Sequence, residues 1–533
     1  MLAGGKPVRS ELRLSTLPRF LRGGASEAKR PPVRRDSGVF VLKETRLSLP
    51  AHVASLAPRD LADARRLVAA VPGRAAAVEY RLDGAAERIP PGALVELDPR
   101  PAIVTWRSAR EGGHFDGSLE EYRGLLREAY AAGAIVDVEQ ESGLAASPEL
   151  PDRGRVVVSA HFPFGLRAGW ESLLSAMRET RPLAVKLVAG AAHLRASLDL
   201  AEIQRRHADG ATAVFPMGPA SEPGRILAAV FGSALVYGSV GVPTAAGQPL
   251  LSDLLDVYGT DERRPPEALF GIVALDPSGS LSPLVHNALF RSRELPFLYL
   301  PLPITDFDRE RPHELVFDPP FRGFSVTQPW KTRAAAVGTS SEDVRSTGAA
   351  NTLSLDRRRW RSENTDVDGI FEPLADHDTG EGRTALVLGT GGAARAAIVA
   401  ARRLGYEVSV TGRRDEVADA LAAQFGVDSH AWEDVAGTEA DLYVNATPVG
   451  WRPEDPPALP ARVLEGRPLV FDCVYRRDGG ETSTIRAARA AGCSTVGGLE
   501  MFAVQAAAQA RLFGVEGVAP EEVGRLLAGT LAP

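Results

Sequence analysis

Lysine is scarce in this chain. Only five lysines occur, at positions 6, 29, 43, 186 and 331, and arginine supplies the rest of the 61 basic residues. Arginine serves wherever a fixed positive charge is enough, whereas a lysine amine can lose its proton once it is buried or crowded by another cation. Lys186 and Lys331, the only lysines beyond residue 43, are therefore candidate catalytic amines. Their separation of about 145 residues indicates two active sites.

Cysteine, long apolar runs and excess positive charge are also missing. Cys473 and Cys493 can form no disulfide framework and lack metal-ligand spacing, so we expect a reducing compartment and no metal. No apolar run is long enough to span a bilayer, so we expect no membrane partner. The net charge of -7 argues against a nucleic-acid partner.

Residues 1–45 differ in composition from the rest. They contain ten Lys/Arg against four Asp/Glu, with no sustained periodicity. We expect a disordered extension and a cytoplasmic protein. The alternative is an organelle-targeting peptide, which is also basic and poor in acidic residues, although the serine richness of such peptides is absent.

From residue 46 to about residue 260, short β-rich runs alternate with Ala/Leu/Arg-rich helical stretches. The eight runs cover residues 46–51, 76–82, 103–106, 134–139, 156–160, 183–188, 212–216 and 234–237. Eight such units in about 210 residues predict a (β/α)8 barrel in an α/β protein.

Polar side chains stand at the ends of these predicted strands, where barrel enzymes carry their chemistry. They are Glu79, Arg81, Arg107, His161 and Lys186. A neutral lysine amine can attack a ketone to form a Schiff base, and a histidine can then move a proton from the adjacent carbon to a leaving hydroxyl. Glu79 could orient the imidazole, and the arginines could bind a carboxylate.

These residues resemble the type I 3-dehydroquinate dehydratase family. The matching segments are Glu79-Tyr80-Arg81-Leu82-Asp83, Arg107-Ser108-Ala109-Arg110-Glu111-Gly112-Gly113, Ser159-Ala160-His161, Ala184-Val185-Lys186, Met217-Gly218 leading to Arg225, and Thr244-Ala245-Ala246-Gly247-Gln248. The resemblance implies that Lys186 forms the Schiff base, that His161 is the general acid/base and that Glu79 is its partner. It implies substrate binding by Arg81, Arg107, Arg225, Thr244 and Gln248. Phe162 and Thr244 stand where the family usually has aspartate and serine.

A charged, proline-rich linker at residues 261–266 precedes a second region. There, a buried-strand run at residues 384–388 leads into Gly389-Thr390-Gly391-Gly392 and an alanine-rich helix. This is a variant of the dinucleotide-binding turn, in which glycines let the backbone approach a pyrophosphate. Arg413 and Arg414 follow the next strand and suit the 2′-phosphate of NADP.

Lys331 precedes that turn and is followed by Asn364-Thr365-Asp366. A lysine paired with an aspartate can relay a proton to and from an alcohol during hydride transfer. The alternative is a structural ion pair.

The second half resembles the shikimate dehydrogenase family. The matching segments are Ser280-Leu281-Ser282-Pro283-Leu284-Val285-His286-Asn287, Ser325-Val326-Thr327-Gln328-Pro329-Trp330-Lys331, Gly348-Ala349-Ala350-Asn351-Thr352, Asn445-Ala446-Thr447-Pro448-Val449-Gly450, Asp472-Cys473-Val474-Tyr475 and Gly498-Leu499-Glu500-Met501 with Gln505 and Gln509. The resemblance implies Lys331 and Asp366 as the catalytic pair. The implied substrate-binding residues are Ser280, Ser282, Thr327, Asn351, Tyr475, Gln505 and Gln509. The implied NADP-binding residues are Gly389, Gly391, Gly392, Ala393, Arg413, Arg414, Asn445, Thr447 and Gly498. Trp330 and Trp451 replace the family's usual histidine and methionine.

The sequence thus predicts a barrel at residues 46–260 and a two-lobed α/β dehydrogenase. Residues 268–371 would form its substrate-binding domain, completed by helices at 498–533, and residues 372–497 its Rossmann-type NADP-binding domain. Together the two resemblances imply dehydration of 3-dehydroquinate followed by NADPH-dependent reduction of 3-dehydroshikimate, in a monomer or homodimer. The alternatives are a quinate dehydrogenase in the second half or a regulatory homologue without catalysis.

Overall fold

The computed structural model describes residues 46–262, 264–377 and 380–531. The extension predicted for residues 1–45 lies outside them. In the described parts of the chain, no helix is both long and apolar enough to cross a membrane.

The first sheet is an eight-stranded parallel barrel, as the sequence predicts. Neighbouring strands pair in parallel in the order β7-β6-β5-β4-β3-β2-β1-β8. Near the seam between β7 and β8, the Ala234 amide donates to the Thr212 carbonyl oxygen (3.0 Å). The strands are β1 (Ala51–Leu56), β2 (Ala77–Arg81), β3 (Ala102–Thr105), β4 (Ile135–Glu139), β5 (Val156–Phe162), β6 (Ala184–Gly190), β7 (Thr212–Met217) and β8 (Leu235–Ser239).

Helices between the strands pack on the outside of this barrel, because their apolar faces need a partner layer. They are α1 (Leu61–Ala69), α2 (Pro91–Leu97), α3 (Leu119–Ala131), α4 (Trp170–Glu179), α5 (Leu194–Arg206) and α6 (Glu222–Val230). Short 3-10 turns lie at Ala109–Glu111, Gln140–Ser142, Leu144–Ala146 and Arg153–Arg155, and a π-helical turn lies at Asp253–Val257.

The first strand lies five residues later than the sequence pattern indicates. The alternation of polar and apolar residues over 46–51 suggests a strand there, but β1 begins at Ala51. Pro50 has no amide hydrogen to donate to a ladder, and the run that is buried on both faces starts only after it.

The second sheet has six strands in the order β10-β9-β11-β13-β14-β12, with β13 antiparallel to both neighbours. Its strands are β9 (Ala268–Ala274), β10 (Phe297–Pro303), β11 (Phe321–Val326), β12 (Thr339–Ser340), β13 (Thr352–Asp356) and β14 (Arg359–Glu363). Its helices are α7 (Ser282–Ser292), α8 (Phe307–Glu310), α9 (Lys331–Ala334), α10 (Glu342–Thr347) and α11 (Asp366–Ala375), with a 3-10 turn at Pro312–Glu314.

The third sheet is wholly parallel, with the order β17-β16-β15-β18-β19-β20. This is the Rossmann strand order. In this fold a ligand binds at the point where the strand order reverses, which here lies between β15 and β18. The strands are β15 (Thr384–Leu388), β16 (Glu407–Thr411), β17 (Asp428–His430), β18 (Leu442–Asn445), β19 (Leu469–Asp472) and β20 (Thr495–Val496). The helices are α12 (Gly392–Arg403), α13 (Asp415–Phe425), α14 (Ala461–Leu464) and α15 (Ser483–Ala490), with a 3-10 turn at Trp432–Gly437.

The chain then returns to the second sheet. Helices α16 (Gly498–Leu512) and α17 (Pro520–Leu531) share an apolar cluster with β9, β10 and α7. Helix α16 also packs against α11. This return places Gln505 and Gln509 beside residues that precede them by about 150 positions.

The barrel packs against the second half of the chain through apolar contacts and an ion pair. Leu227 of α6 and Phe231, the residue that follows this helix, share an apolar cluster with Leu298 and Leu300 of β10. At the edge of this junction Arg477 forms an ion pair with Asp253 (3.2 Å). The halves are therefore packed against one another by burial as well as by charge.

Glu222, at the start of α6, lies near this ion pair and should make stability pH-dependent. Burial, together with Asp253 and Asp276, raises its pKa to about 7, and Arg477 opposes the rise. The folded chain then binds the proton more tightly than the unfolded chain, so the free energy of unfolding falls as pH rises from about 4.5 to 7. We expect Glu222→Gln to stabilise the protein by about 1–3 kcal/mol at pH 8 and little at pH 4.5. Denaturant unfolding at both pH values measures this.

The matched control is Glu171→Gln, because Glu171 also lies in the first turn of a barrel helix but is exposed. Equal effects of the two substitutions at pH 8 would contradict the assignment to Glu222.

Candidate active sites

A cavity of about 590 Å³ opens among the barrel residues. Its size suits a small molecule. All eight residues predicted for the first site line it, although they come from six strands and the segments that follow them. They are Glu79, Arg81, Arg107, His161, Lys186, Arg225, Thr244 and Gln248.

Lys186 lies on β6 and is almost fully buried. Its Nζ forms a short ion pair with Asp137 and lies 3.8 Å from Glu79 Oε1. Burial opposes ionisation of Asp137, but Arg107 and Lys186 still hold the pKa of this carboxyl well below its usual range. The amine therefore has a fixed carboxylate beside it, and only its unprotonated form can act as a nucleophile.

The partner of His161 is Glu111, and this corrects the prediction that Glu79 orients the imidazole. His161 Nδ1 lies 2.7 Å from Glu111 Oε2. Glu79 accepts hydrogen bonds from Ser55 Oγ (2.6 Å) and Thr105 Oγ1 (3.0 Å), hydroxyls of the two neighbouring strands. Glu111 can reach the ring because it follows β3 on a short 3-10 turn.

The titration of this pair suits proton transfer. Burial, with Arg107 and Lys186 nearby, lowers the pKa of His161 well below its usual value. Burial raises the pKa of Glu111 to about 8. The imidazole is thus neutral at physiological pH and can accept a proton, while the pair retains one proton that it can return.

The three predicted arginines have different environments. Arg107 donates to Glu139 (2.9 Å), Asp137 (2.9 Å) and Glu111 (3.1 Å) and is 3% exposed, so it stabilises the acidic cluster. It also lines the cavity, and its binding of substrate stays a prediction. Arg81 forms a two-point ion pair with Asp83.

Arg225 is the arginine that remains for an anion. It is buried, and no ion pair with a carboxylate is found for it within the described ranges. Burial lowers its pKa to about 10, with Glu79 opposing, so it is still a cation at neutral pH. A buried guanidinium without a counterion favours a bound carboxylate.

Sequence reasoning missed Glu111, Asp137 and Glu139. The available signal was two acidic residues at alternate positions of β4, which is otherwise apolar and buried. Such side chains point to the same face of the strand, here the barrel interior.

Thr244 and Gln248 form the edge of the cavity. Thr244 Oγ1 donates to Gln248 Oε1 (2.7 Å) and lies 2.9 Å from Ser55 Oγ. Since Ser55 also donates to Glu79, this edge is connected to the carboxylate near Lys186.

The second site is built around Lys331 and Asp366, as the sequence predicts for these neighbours. Lys331 Nζ lies 2.5 Å from Asp366 Oδ2. The other carboxylate oxygen accepts from Asn351 Nδ2 (2.9 Å), which also lies 3.3 Å from Gln505 Oε1. Residues from α9, α11, α16 and the segment just before β13 thus meet at one point, which holds the lysine at a fixed carboxylate.

The predicted hydroxyl-bearing residues lie on the segments that begin α7 and that follow β19 and β11. The Ser282 amide donates to Ser280 Oγ (3.1 Å), and the Tyr475 hydroxyl hydrogen-bonds the Ser280 side chain. Thr327 follows β11, where its amide donates to the Val273 carbonyl oxygen (3.0 Å). These positions are compatible with the predicted binding of a polyhydroxylated ligand.

Gln509 has its polar atoms bonded within the protein. It is 2% exposed, accepts from Ser325 Oγ (2.8 Å) and donates to Thr352 Oγ1 (3.0 Å). It also donates to the Asn351 carbonyl oxygen (3.3 Å), so it stabilises the segment that carries Asn351, and its own contact with substrate stays a prediction.

The glycine-rich turn can accept a dinucleotide. Gly389 has φ +121°, and a Cβ there would lie 2.7 Å from the Ala446 carbonyl oxygen. A Cβ on Gly392 would lie 2.7 Å from Lys331 Cδ. A side chain at either position would collide with these atoms, so glycine permits the close approach of Ala446 and Lys331 to the N-terminus of α12, where a pyrophosphate is favoured. Gly391 and Ala393 belong to the same helix start.

The other predicted nucleotide residues fall into two groups. Arg413 and Arg414 are exposed after β16, and Gly498 begins α16. Asn445 is fully buried: it donates to Asp472 (2.8 Å) and accepts from the Thr447 amide (3.1 Å). The prediction that Asn445 contacts the nucleotide is therefore corrected, because its amide shapes the loop that carries Thr447.

The fold and the two sites define a fusion of a Schiff-base-type barrel lyase with a two-lobed dinucleotide-dependent dehydrogenase. Residues 52–265 match the family model of type I 3-dehydroquinase, and residues 272–353 match that of the shikimate dehydrogenase substrate binding domain. The chain belongs to the shikimate dehydrogenase family, and its first half belongs to the type I 3-dehydroquinase family.

Relatives cover both halves. The bifunctional 3-dehydroquinate dehydratase/shikimate dehydrogenase, chloroplastic, of Arabidopsis thaliana is 29% identical over 79% of this chain and 74% of its own length. The shikimate dehydrogenase (NADP(+)) of Maridesulfovibrio salexigens is 35% identical over 46% of this chain and 92% of its own length. Among solved structures, shikimate 5-dehydrogenase from Thermus thermophilus in complex with NADP(H) and shikimate is 32% identical over 49% of this chain and 99% of that chain (TM-score 0.42). Dehydroquinate dehydratase and shikimate dehydrogenase from S. pombe is 22% identical over 91% of this chain and 98% of that chain (TM-score 0.39).

Proposed function

We propose that the chain dehydrates 3-dehydroquinate to 3-dehydroshikimate in the barrel and reduces 3-dehydroshikimate to shikimate with NADPH in the second half. The observation that carries the proposal is the pair of lysine sites. Lys186 is buried beside Asp137, His161 and an arginine free for a carboxylate, and Lys331 is held by Asp366 beside a glycine-rich turn.

In the first reaction, Arg225 binds the substrate carboxylate, and Arg81, Thr244 and Gln248 surround the remaining polar groups. The Lys186 amine adds to the ketone carbon, the carbonyl oxygen leaves as water, and a protonated Schiff base forms. His161 removes the proton from the adjacent carbon and returns one to the departing hydroxyl. Hydrolysis of the Schiff base then restores the lysine and releases the enone.

Glu111 positions His161 throughout, and Arg107 fixes Asp137, Glu139 and Glu111 in place. Asp137 and Glu79 stabilise the cationic nitrogen of Lys186 whenever it carries charge. Because its imidazole is neutral, His161 can accept the proton from the carbon beside the Schiff base.

In the second reaction, NADP supplies or accepts the hydride when bound. The hydroxylated ring of the substrate is oriented by Ser280, Ser282, Thr327, Asn351, Tyr475 and Gln505. Lys331 and Asp366 move the proton to and from the reacting oxygen. The backbone surface for the nucleotide is provided by Gly389, Gly391, Gly392, Ala393, Thr447 and Gly498.

A coupled assay tests the whole proposal. The purified chain, given 3-dehydroquinate and NADPH, should consume NADPH and form shikimate without another enzyme. Formation of 3-dehydroshikimate without NADPH consumption would remove the second half of the proposal. Oxidation of quinate in preference to shikimate would change its substrate.

We further propose that Arg413 and Arg414 select NADP over NAD. Both are exposed at the end of β16, where this fold reads the adenosine ribose, and a guanidinium can bind a 2′-phosphate with two charge-assisted bonds. Such a bond contributes roughly 1.5–3 kcal/mol, so we expect Arg413→Ala to lower the preference for NADP about ten- to a hundredfold. The measurement is the ratio of kcat/KM for NADP and NAD in shikimate oxidation.

The double variant Arg413→Ala/Arg414→Ala should shift that ratio further, since Arg414 is the next residue along the same turn. The dehydratase activity of each variant serves as the control for folding. An unchanged ratio in the double variant would place recognition of the phosphate elsewhere.

The cellular location is also a proposal. The scarcity of cysteine supports a cytoplasmic enzyme, and imaging of the full chain, with and without residues 1–45, distinguishes this from delivery to an organelle.

A further inference from the structure

The turn that leads into α7 carries two hydroxyl groups of the proposed second site. Ser280 precedes the helix, and the Ser282 amide donates to its Oγ (3.1 Å). The Ser280 amide donates in turn to the Pro277 carbonyl oxygen (3.0 Å), so residues 277–280 form a tight turn, the Ser280 turn. The position of both serines therefore depends on what holds this turn and the helix that follows it.

Two aromatic side chains from loops of the third sheet contact the Ser280 turn. The Tyr475 hydroxyl hydrogen-bonds the Ser280 side chain. Trp451 lies so close to Gly279 that a Cβ added to this glycine would be 2.4 Å from Cζ2 of the indole. These contacts connect the turn to the segments that follow β18 and β19.

Arg477 connects the same turn to the barrel. Its guanidinium donates to the Ser278 carbonyl oxygen, and its Nη2 lies 3.2 Å from Asp253 Oδ2. Asp253 is the first residue of the π-helical turn of the barrel. One cation thus makes a charge-assisted contact with the barrel and another with the Ser280 turn.

The π-helical turn also holds the far end of α7. Arg291, in the last turn of this helix, donates to the carbonyl oxygens of Val257 (2.6 Å) and Asp256 (2.9 Å). The substrate-binding helix is therefore tied at both ends to one element of the barrel, directly through Arg291 and indirectly through Arg477. Side chains that bind a ligand need such support, because they are held only as firmly as the segments that carry them.

We propose that the π-helical turn Asp253–Val257 positions the Ser280 turn of the second site, with Arg477 as the connecting residue. Arg477 is a positioning residue, because it acts on the substrate through the Ser278 carbonyl and the Ser280 hydroxyl. The barrel thus contributes to shikimate affinity, although its own cavity takes no part. The inference rests on the proposed binding of shikimate by Ser280, and it adds the support on which that binding depends.

The test compares Arg477→Ala and Asp253→Ala in the full chain by the kinetics of shikimate oxidation. We expect Arg477→Ala to raise KM for shikimate about 3- to 10-fold, because the turn loses a charge-assisted contact, with kcat and KM for NADP within about twofold. Asp253→Ala should raise the same KM about 2- to 5-fold, since solvent weakens the ion pair of the half-exposed Arg477. In the Arg477→Ala background, Asp253→Ala should add nothing, because both act through one contact.

The result for Asp253→Ala separates positioning from simple attraction of an anion. Arg477 is a cation near Tyr475, and its charge alone could attract the shikimate carboxylate. In that case, removal of the negative charge of Asp253 would lower KM, whereas loss of positioning raises it. The matched control is Asp256→Ala, because Asp256 lies on the same π-helical turn but is exposed and pairs with Arg74 of the barrel (3.4 Å). This control should leave KM unchanged.

Hydrogen exchange measures the turn itself and needs no substrate. Peptides that cover residues 277–281 should exchange faster in Arg477→Ala and Asp253→Ala than in the wild type or Asp256→Ala. Arg477→Lys keeps the charge but has a single ammonium for the two contacts, so it should restore part of the affinity. Dehydration of 3-dehydroquinate by the same samples reports folding of the barrel.

The outcomes separate this inference from the proposed function. If Ser280→Ala leaves KM for shikimate unchanged, the proposed role of Ser280 is wrong. If Ser280→Ala raises KM but Arg477→Ala does not, or if exchange of the turn is unchanged in both variants, the positioning role is wrong. A lower KM in Asp253→Ala, or full additivity of the two substitutions, also overturns it. Should Asp253→Ala fail to fold, equal KM values in Arg477→Ala and Arg477→Lys would count against the proposal in its place.

Discussion

Replacing Lys186 with arginine should abolish dehydration and leave shikimate oxidation intact. The substitution preserves the positive charge beside Asp137, so the acidic cluster keeps a counterion. A guanidinium, however, remains protonated and cannot form the Schiff base. Without the covalent route we expect kcat to fall by at least about 10⁴-fold, since nucleophile and acid–base contributions are lost together. Initial rates of both reactions on one preparation measure this.

The same experiment has a chemical readout. Borohydride added to the wild type with 3-dehydroquinate should attach substrate mass to the peptide that carries Lys186, because a Schiff base is reducible to a stable amine. Labelling that persists in Lys186→Arg would refute the assignment of the nucleophile. Loss of shikimate oxidation in that variant would indicate a folding defect instead, and Lys186→Met would then serve as the uncharged comparison.

Much of this fold follows from patterns along the sequence. Eight β-rich runs and their helices predict the barrel, because strand and helix periods are local properties. Gly389 and Gly392 mark the nucleotide turn for an equally local reason, since a Cβ at either position would collide with neighbouring atoms. The exception, the displaced first strand, arises because residues 46–49 alternate in polarity as a strand would, yet precede Pro50.

The hydrogen-bond and ion-pair partners of individual side chains could not be predicted from the sequence in the same way. Glu79, Glu111 and Asp137 all lie near His161 or Lys186, and sequence order does not say which oxygen meets which nitrogen. That pairing depends on the paths of side chains across the barrel interior. Burial has the same effect on Gln509 and Asn445, which match family motifs but use their polar atoms within the protein.

Two independent sites in one chain make each reaction the control for the other. The acidic cluster around Arg107 is confined to barrel strands and their following turns, whereas Asp366, Asn351 and Gln505 belong to the second sheet and α16. No residue contributes to both clusters in the described ranges. A substitution of Lys331 should therefore leave the dehydratase kinetics unchanged.

Lys331→Ala is accordingly expected to lower kcat for shikimate oxidation by about 10²–10⁴-fold, the usual contribution of a general acid–base group, while dehydration stays within about twofold. Because the substitution leaves the buried Asp366 carboxylate without its partner, some loss of stability should accompany it.

Lys331→Arg separates the two effects: it keeps a cation beside Asp366 but cannot release a proton at working pH. We expect Lys331→Arg to be as inactive in oxidation as Lys331→Ala, yet closer to the wild type in thermal unfolding. NADPH formation and 3-dehydroshikimate formation, followed on the same samples, measure both reactions. If Lys331→Arg retained near-normal oxidation, the lysine would be an electrostatic anchor and the proton would have to leave by another group. If either variant abolished dehydration while still folded, the separation into two sites would fail.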